Sequence, residues 1–445
     1  MYQTEGWGRV LKAGVGQRLR APGVSRTVLL LGLTSLITDV SSEMVATVLP
    51  VYVVLYLQLT PFVFGVIDGL QQGAAALVRV AGGFAADRWR RYKEVAAAGY
   101  ALSAACRLGL LAAGRAWPAL AGVILLDRVG KGIRTAPRDA LIALSSPRAG
   151  LATAFGVHRA LDTAGAMLGP VAAFLILSAA PGAFDALFVS SFCIALVGLG
   201  VIVLFVENPP GLGAAARAAA GGAAAAAISL RAALGLVGGP RFRALVLAGA
   251  ALSLATVSDG FVYLALQRRL HFDAGLLPLL YVATALVFFV LAVPAGQLAD
   301  RVGRARVLVG GYALLAAAYA ALLLPAPWAH WGPAAPAAAA VALVGGLVLL
   351  LGAYYAATDG VLAALASAVL PTELRASGLG LLTTATNVAR LLASVLFGAL
   401  WTRWSLDIAV GCFAAGLGAA LLVAVLALPR AEHGATGELK EAVRG

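Results

Sequence analysis

Charge is what this chain has least of. Only 12% of its 445 residues are Asp, Glu, Lys or Arg, while 61% are hydrophobic. A soluble domain uses roughly twice that share of charge, so a water-exposed fold is excluded. Cysteine is also scarce. Cys106, Cys193 and Cys412 lie in separate apolar runs, and an odd count without close spacing excludes a disulfide framework and a cysteine metal motif. They read as small apolar filler. No Gly-x4-Gly-Lys-Ser/Thr loop, His-Glu-x-x-His pair or nucleophile elbow occurs, so no enzyme, cofactor or metal centre is expected. The ten-residue alternating segments of a membrane β-barrel are missing too.

What is there is a succession of apolar stretches of about 20 residues, the mark of membrane-spanning helices. Twelve are expected, over 28–57, 62–86, 94–114, 118–143, 150–180, 184–206, 242–267, 275–299, 305–325, 335–366, 372–401 and 404–428. The fold class is therefore an all-α membrane protein, with two pseudo-symmetric six-helix bundles over 28–206 and 241–428. Residues 207–240 are Ala/Gly-rich with Pro209, Pro210 and Pro240, and read as a cytoplasmic linker with a helical piece near Ile228–Val237. Tails of 1–27 and 429–445 flank the bundles. Arg9, Lys12, Arg18, Arg20 and Arg26 precede the first stretch, but that stretch is too long for a signal peptide.

The formal charge of +13 invites a nucleic-acid reading, which the distribution opposes. Only Arg115, Arg268, Arg269 and Arg403 fall in the loops that would be external. That asymmetry puts both termini in the cytoplasm, in an inner membrane. The lipid bilayer, a small-molecule substrate and protons are the expected partners of a monomer.

The halves repeat each other. "GGFAADRWRRYK" (82–93) and "GQLADRVGRAR" (296–306) follow the second and eighth stretches, and "VSSEM" (40–44) corresponds to "TVSDGF" (256–261), which aligns Glu43 with Asp259. Repeats around a midplane site are a common transporter architecture. The two loops resemble the G-x-L-A-D-R-x-G-R-R/K signature of the major facilitator superfamily. Gly296, Leu298, Asp300, Arg301, Gly303 and Arg304 match it; the first copy keeps Gly83, Asp87, Arg88 and Arg91 but has Arg90 at the glycine position. Arg128, Lys131 and Gly132 resemble the family's R-x-x-Q-G in helix four, whose arginine the resemblance implicates in proton coupling. Gly156, Gly165, Gly169 and Pro170 resemble the helix-five pattern of drug:proton antiporters, with Ala173 and Phe174 where its last two glycines stand. "TDVSSEM" and "RVGKGIRTAPRDALIA" are similar to a bacterial subgroup described as efflux proteins. The resemblance implies gating loops at the two Asp–Arg motifs and a flexible helix-five contact.

Helix four raises its own question. Asp127, Lys131, Arg134 and Arg138 fall on one stripe, and Arg128, Thr135 and Asp139 on a second about 100° away. Facing lipid, each charge would cost roughly 2.5–3.5 kcal/mol near the bilayer centre. They must face water or partners. Partners exist within the stretches: the acids Asp39, Glu43, Asp68, Asp162, Asp259 and Asp359, and the bases Arg79, Arg107, Arg159 and Arg390. Asp39 and Glu43, one turn apart, are expected to act as a carboxylate pair that Arg128 or His158 approaches. His158 lies one turn from Asp162, and imidazole titrates near neutral pH. Asn387 and Arg390 are expected to mirror that region in helix eleven. Phe261, Tyr263, Tyr354 and Tyr355 are equally placed for cavity wall or packing.

Three functions fit. The first is a proton-coupled antiporter exporting a small organic solute. The second is an uptake symporter for an anionic metabolite or metal chelate, suggested by the bases of helix four. The third is a channel or receptor, which lacks repeated pore rings or a signalling domain.

Overall fold

A computed structural model describes residues 25–74, 91–147, 150–208, 235–324, 335–371 and 374–442, and every regular element among them is helical. In the first half α1 is Arg26–Pro50, α2 is 61–74, α3 is Tyr92–Ala113, α4 is Trp117–Leu144, α5 is Leu151–Ala179 and α6 is Phe184–Phe205. In the second half α7 is Pro240–Leu254, α8 is Asp259–Leu270, α9 is Leu277–Val302, α10 is Arg304–Leu323, α11 is Ala335–Thr358, α12 is Val361–Val369, α13 is Arg375–Arg403 and α14 is Leu406–Ala442. Among the described residues, ten segments are long and apolar enough to cross a membrane. α4 makes an eleventh crossing whose charges lower its hydropathy, and α2, described only in part, starts the twelfth. Leu204, Phe289, Val341 and Leu422 point outward and exposed, as lipid-facing side chains do.

Two stretches expected as single helices are broken. The seventh parts at residues 255–258, between α7 and α8. Backbone groups freed inside a membrane must find partners, and Tyr319 of α10 supplies them: its hydroxyl accepts from the Val257 N–H at 2.7 Å and donates to the Ala255 carbonyl at 3.0 Å. The tenth parts after Thr358, where Gly360 takes φ +81°, a conformation that costs a side chain dearly. Both breaks have the same effect. They release an acid, Asp259 or Asp359, from the middle of a regular helix to its edge.

Small residues set the helix spacing. A Cβ on Gly165 would run into the Leu36 carbonyl, and one on Gly169 would stand 2.7 Å from the Val40 carbonyl and 2.8 Å from Glu43 Cβ. The helix-five glycines thus seat α1 against α5 at the turn that carries Glu43. Gly156 has nothing within 4 Å and takes no part. The halves meet where α2 crosses α13. A Cβ on Gly69 would lie 2.8 Å from the Leu391 carbonyl, and the Phe62 N–H donates to Thr402 Oγ1 at 2.8 Å. Phe261, expected at the cavity wall or in packing, lies in a plug with Phe64 and Phe397, each ring centroid 4.8 Å away. This plug is at the end of the bundle opposite Arg26.

Tyr319→Phe removes both bridges across the α7–α8 break. It is expected to lower stability by about 1–3 kcal/mol, the cost of unsatisfied buried backbone groups, seen as a lower Tm of the purified protein in detergent. An unchanged Tm would mean that the break is closed by other means.

Candidate functional site

The intramembrane charges divide into two groups. The first lies inside the first half, among α1, α3, α4 and α5. Asp127 is its centre, with a side chain only 3% exposed. Arg107 Nη2 lies 3.1 Å from its Oδ1; Arg128 donates to its Oδ2 through Nε at 3.1 Å and Nη2 at 2.6 Å. Each carboxylate oxygen therefore has a guanidinium. Arg107 also donates to Ser42 Oγ at 3.0 Å, which ties α3 to α1. Two turns on from Asp127, Arg134 reaches Asp39 at 3.5 Å and lies over the Tyr100 ring at 4.5 Å. Arg138 donates to Ser35 Oγ at 2.9 Å and to Asp139 at 3.1 Å, and lies 3.7 Å from Asp162. Lys131 stands within electrostatic reach of Asp39 and Asp162. The two stripes of α4 thus find protein partners rather than lipid, which buried charge requires.

The second group lines a cavity between the halves. Its larger lobe, about 260 Å³, is bounded by Glu43, Ala166, Pro170, Asp259, Tyr281, Phe288, Tyr355 and Asp359. A smaller lobe, about 160 Å³, shares Glu43, Asp259, Tyr281 and Tyr355 and adds Asp68, Gln71, Gln72 and Ser258. Tyr355 donates to Asp259 Oδ1 at 2.7 Å, and Ser394 of α13 donates to Asp68 Oδ2 at 2.5 Å across the halves. Arg390, half-buried, is within electrostatic range of Tyr355 and Asp359.

Several expectations change. Asp39 and Glu43 do not form a pair of their own: Asp39 belongs to the Arg134 network, while Glu43, one turn further, faces Asp259. Arg128 is held by Asp127 and does not line the cavity. His158 is 2% exposed, with neither ring nitrogen hydrogen-bonded among the described residues. Arg159 points away, its side chain 80% exposed and 3.8 Å from Asp162. Asn387 lies beside Gly73 at the α2–α13 crossing rather than on the cavity wall. Of the four aromatic candidates Tyr355 alone lines the cavity, whereas Tyr263 bonds Thr284 at 2.7 Å. Reasoning from sequence passed over Arg107, Ser394, Tyr281, Gln71 and Gln72 as site residues. A charge in the third stretch was the available signal for Arg107; nothing local distinguishes Ser394.

The second Asp–Arg loop also differs from a simple tie between helices. Asp300 pairs with Arg304 on its own segment at 3.0 Å, and it is Arg304 that reaches the neighbouring helix, donating to the Ala364 carbonyl of α12 at 3.3 Å. Between α9 and α10, Gly303 takes φ +110°, a backbone that only glycine adopts readily. Gly296 has nothing within 4 Å, and Arg301 is exposed. Gly83, Asp87, Arg88 and Arg90, with Arg79, lie outside the described residues, as do residues 1–24 and 209–234 of the tail and linker.

The sequence profile of the Major Facilitator Superfamily matches residues 31–394. The chain belongs to that superfamily. An uncharacterized MFS-type transporter of Methanocaldococcus jannaschii is 30% identical over 389 residues, 85% of this chain and 89% of that one. An uncharacterized protein of Mycobacterium tuberculosis is 34% identical over 164 residues, 37% of this chain and 40% of that one. Among solved structures, the nucleoside transporter NupG superposes with a TM-score of 0.70 at 16% identity, over 92% of this chain and 99% of that one. A D-xylose-proton symporter gives 0.62 at 16%, over 89% and 96%. Such identities establish the fold alone, a multi-pass helical membrane fold of two bundles.

Arg128→Lys keeps the charge but offers one compact donor where two guanidinium nitrogens bond now. It is expected to lower Tm, and Asp127→Asn more so, because that leaves two buried guanidinium groups facing a neutral amide, at a cost of about 3–5 kcal/mol for a broken buried pair. Equal Tm for parent and Asp127→Asn would show the network to be energetically idle. The exposed Asp300–Arg304 pair is worth only about 0–1 kcal/mol. Asp300→Asn should therefore keep its Tm while transport falls, and normal transport by a well-expressed variant would remove the loop from gating.

Proposed function

We propose that the chain is a proton-coupled exporter of a small organic solute, working by alternating access in the cytoplasmic membrane as a monomer with both termini inside. The observation that carries this reading is the shared cavity of Glu43 and Asp259, one carboxylate from each half. A carboxylate is a group that holds a proton in one state and releases it in another. Solute and proton competing for it give the mutually exclusive occupancy that antiport needs. Gly165 and Gly169 support the same reading. They let α1 and α5 approach closely at Glu43, so a shift between these helices would move that carboxylate directly. Asp68–Ser394 and the Phe64–Phe261–Phe397 plug are groups that must separate when the opposite end opens, and Asp300 and Arg304 serve the other gate.

The uptake reading for an anionic metabolite or chelate leaned on the bases of helix four. Those side chains pair with carboxylates of their own half, and none lines the cavity among the described residues. The channel or receptor reading gains nothing from membership of a transporter superfamily.

Everted vesicles with an acid interior are expected to accumulate the solute, and Glu43→Gln to stop this while solute-for-solute exchange continues. Accumulation that persists after the gradient is collapsed, or uptake into intact cells, would overturn the antiport reading.

A further inference from the structure

We propose that the transported solute is an organic cation: a protonated or quaternary amine on a flat apolar body, held between Glu43 and Asp259. The proposal rests on the reading of this cavity as the transport site. Four carboxylates, Glu43, Asp68, Asp259 and Asp359, line its two lobes, and no Lys, Arg or His does among the described residues. Two of the four receive only neutral donors, from Ser394 and Tyr355. Arg390, the flanking base, is within electrostatic range of both Asp359 and Asp259, so one base stands against four acids.

A second observation comes from a hydroxyl beside Asp68. Ser258 lines the smaller lobe and is 9% exposed, and although Asp68 is near, its Oγ makes no well-aligned hydrogen bond among the described residues. As the N-cap residue of α8 its side chain makes no capping bond either. A buried hydroxyl left unmated costs free energy, and an N–H donor brought by the solute would satisfy it. The positive end of the α8 dipole does not call for an anion, because Asp259 already occupies that helix's first turn.

The occupant is larger than a metal ion. No group of three or more His, Cys, Asp or Glu among the described residues is close enough to hold one. The walls between the acids are aromatic, from Tyr281, Tyr355 and Phe288, and such faces attract an ammonium carried on an apolar skeleton. A neutral polyol would leave the four carboxylates with Arg390 as their one nearby counter-charge among the described residues, and an anion would add to the repulsion.

The test uses one skeleton in four charge states: phenethylamine, its N,N,N-trimethylammonium form, 2-phenylethanol and phenylacetate. Thermal unfolding of the full chain in detergent is measured with each. At tenfold excess over the dissociation constant both ammonium probes should raise Tm by about 2–4 °C, and the alcohol and the carboxylate should not. Glu43→Gln and Asp259→Asn, each checked for a folded, monodisperse peak, should lose most of the shift. Asp407→Asn, in the surface pair with Arg269, should keep it. Equal shifts from phenylacetate or phenylethanol, no shift from either ammonium up to its solubility limit, or an undiminished shift in Glu43→Gln would each overturn the proposal. Binding needs no gradient, so the two readings fail separately. Ammonium probes that bind yet are not accumulated by everted vesicles defeat antiport alone, and vesicles that export an anion defeat the cation class alone.

Discussion

A charge placed in hydrocarbon must find a counter-charge or water, and the rest of this structure is arranged around that demand. The chain meets it in two ways. The guanidinium groups of α3 and α4 are consumed by Asp39, Asp127, Asp139 and Asp162 inside the first half. Glu43, Asp68, Asp259 and Asp359 are kept apart from them, around a cavity where the hydroxyls of Ser394 and Tyr355 bond Asp68 and Asp259. The first arrangement ties α1, α3, α4 and α5 to one another. The second leaves an unmet electrostatic need at the interface of two bodies, where a transporter can use it.

Helix geometry keeps the two sets apart. Asp39 and Glu43 are one turn apart on α1, and the close seating of α1 on Gly165 and Gly169 of α5 decides which way each faces. In the second half the same separation is achieved by breaking helices. Asp259 begins α8 after an irregular stretch that Tyr319 stitches together, and Asp359 sits at the end of α11 beside a glycine that only a left-handed turn explains. Both devices put polar backbone at membrane depth, which is tolerated because it lines a cavity or is bonded by a side chain.

The helical membrane architecture was largely legible in the sequence, because apolar stretches of spanning length are a one-dimensional signal. The repeat linking Glu43 to Asp259 was legible for the same reason, and the structure brings those two to one cavity. The breaks at 255–258 and 359–360 were not, since hydropathy is blind to whether an apolar run is one helix or two. Nor could a stripe of charges on α4 say whether its partners came from its own half or from a solute. That depends on which helices pack beside it, and Arg107 of α3 became visible as a partner of Asp127 only once α3 and α4 were placed. The tie between Asp68 and Ser394 spans 326 residues, and no local pattern encodes it.

Because the account divides the acids into a sealed set and a cavity set, their reaction with a water-soluble carbodiimide and an amine nucleophile, read residue by residue by mass spectrometry on the folded protein, is its most direct test. Glu43 and Asp359 should be modified in the native state, and Asp127 only after unfolding. Modification of Asp127 as fast as of Glu43 would mean that the network on α4 is open to water, and would contradict the division.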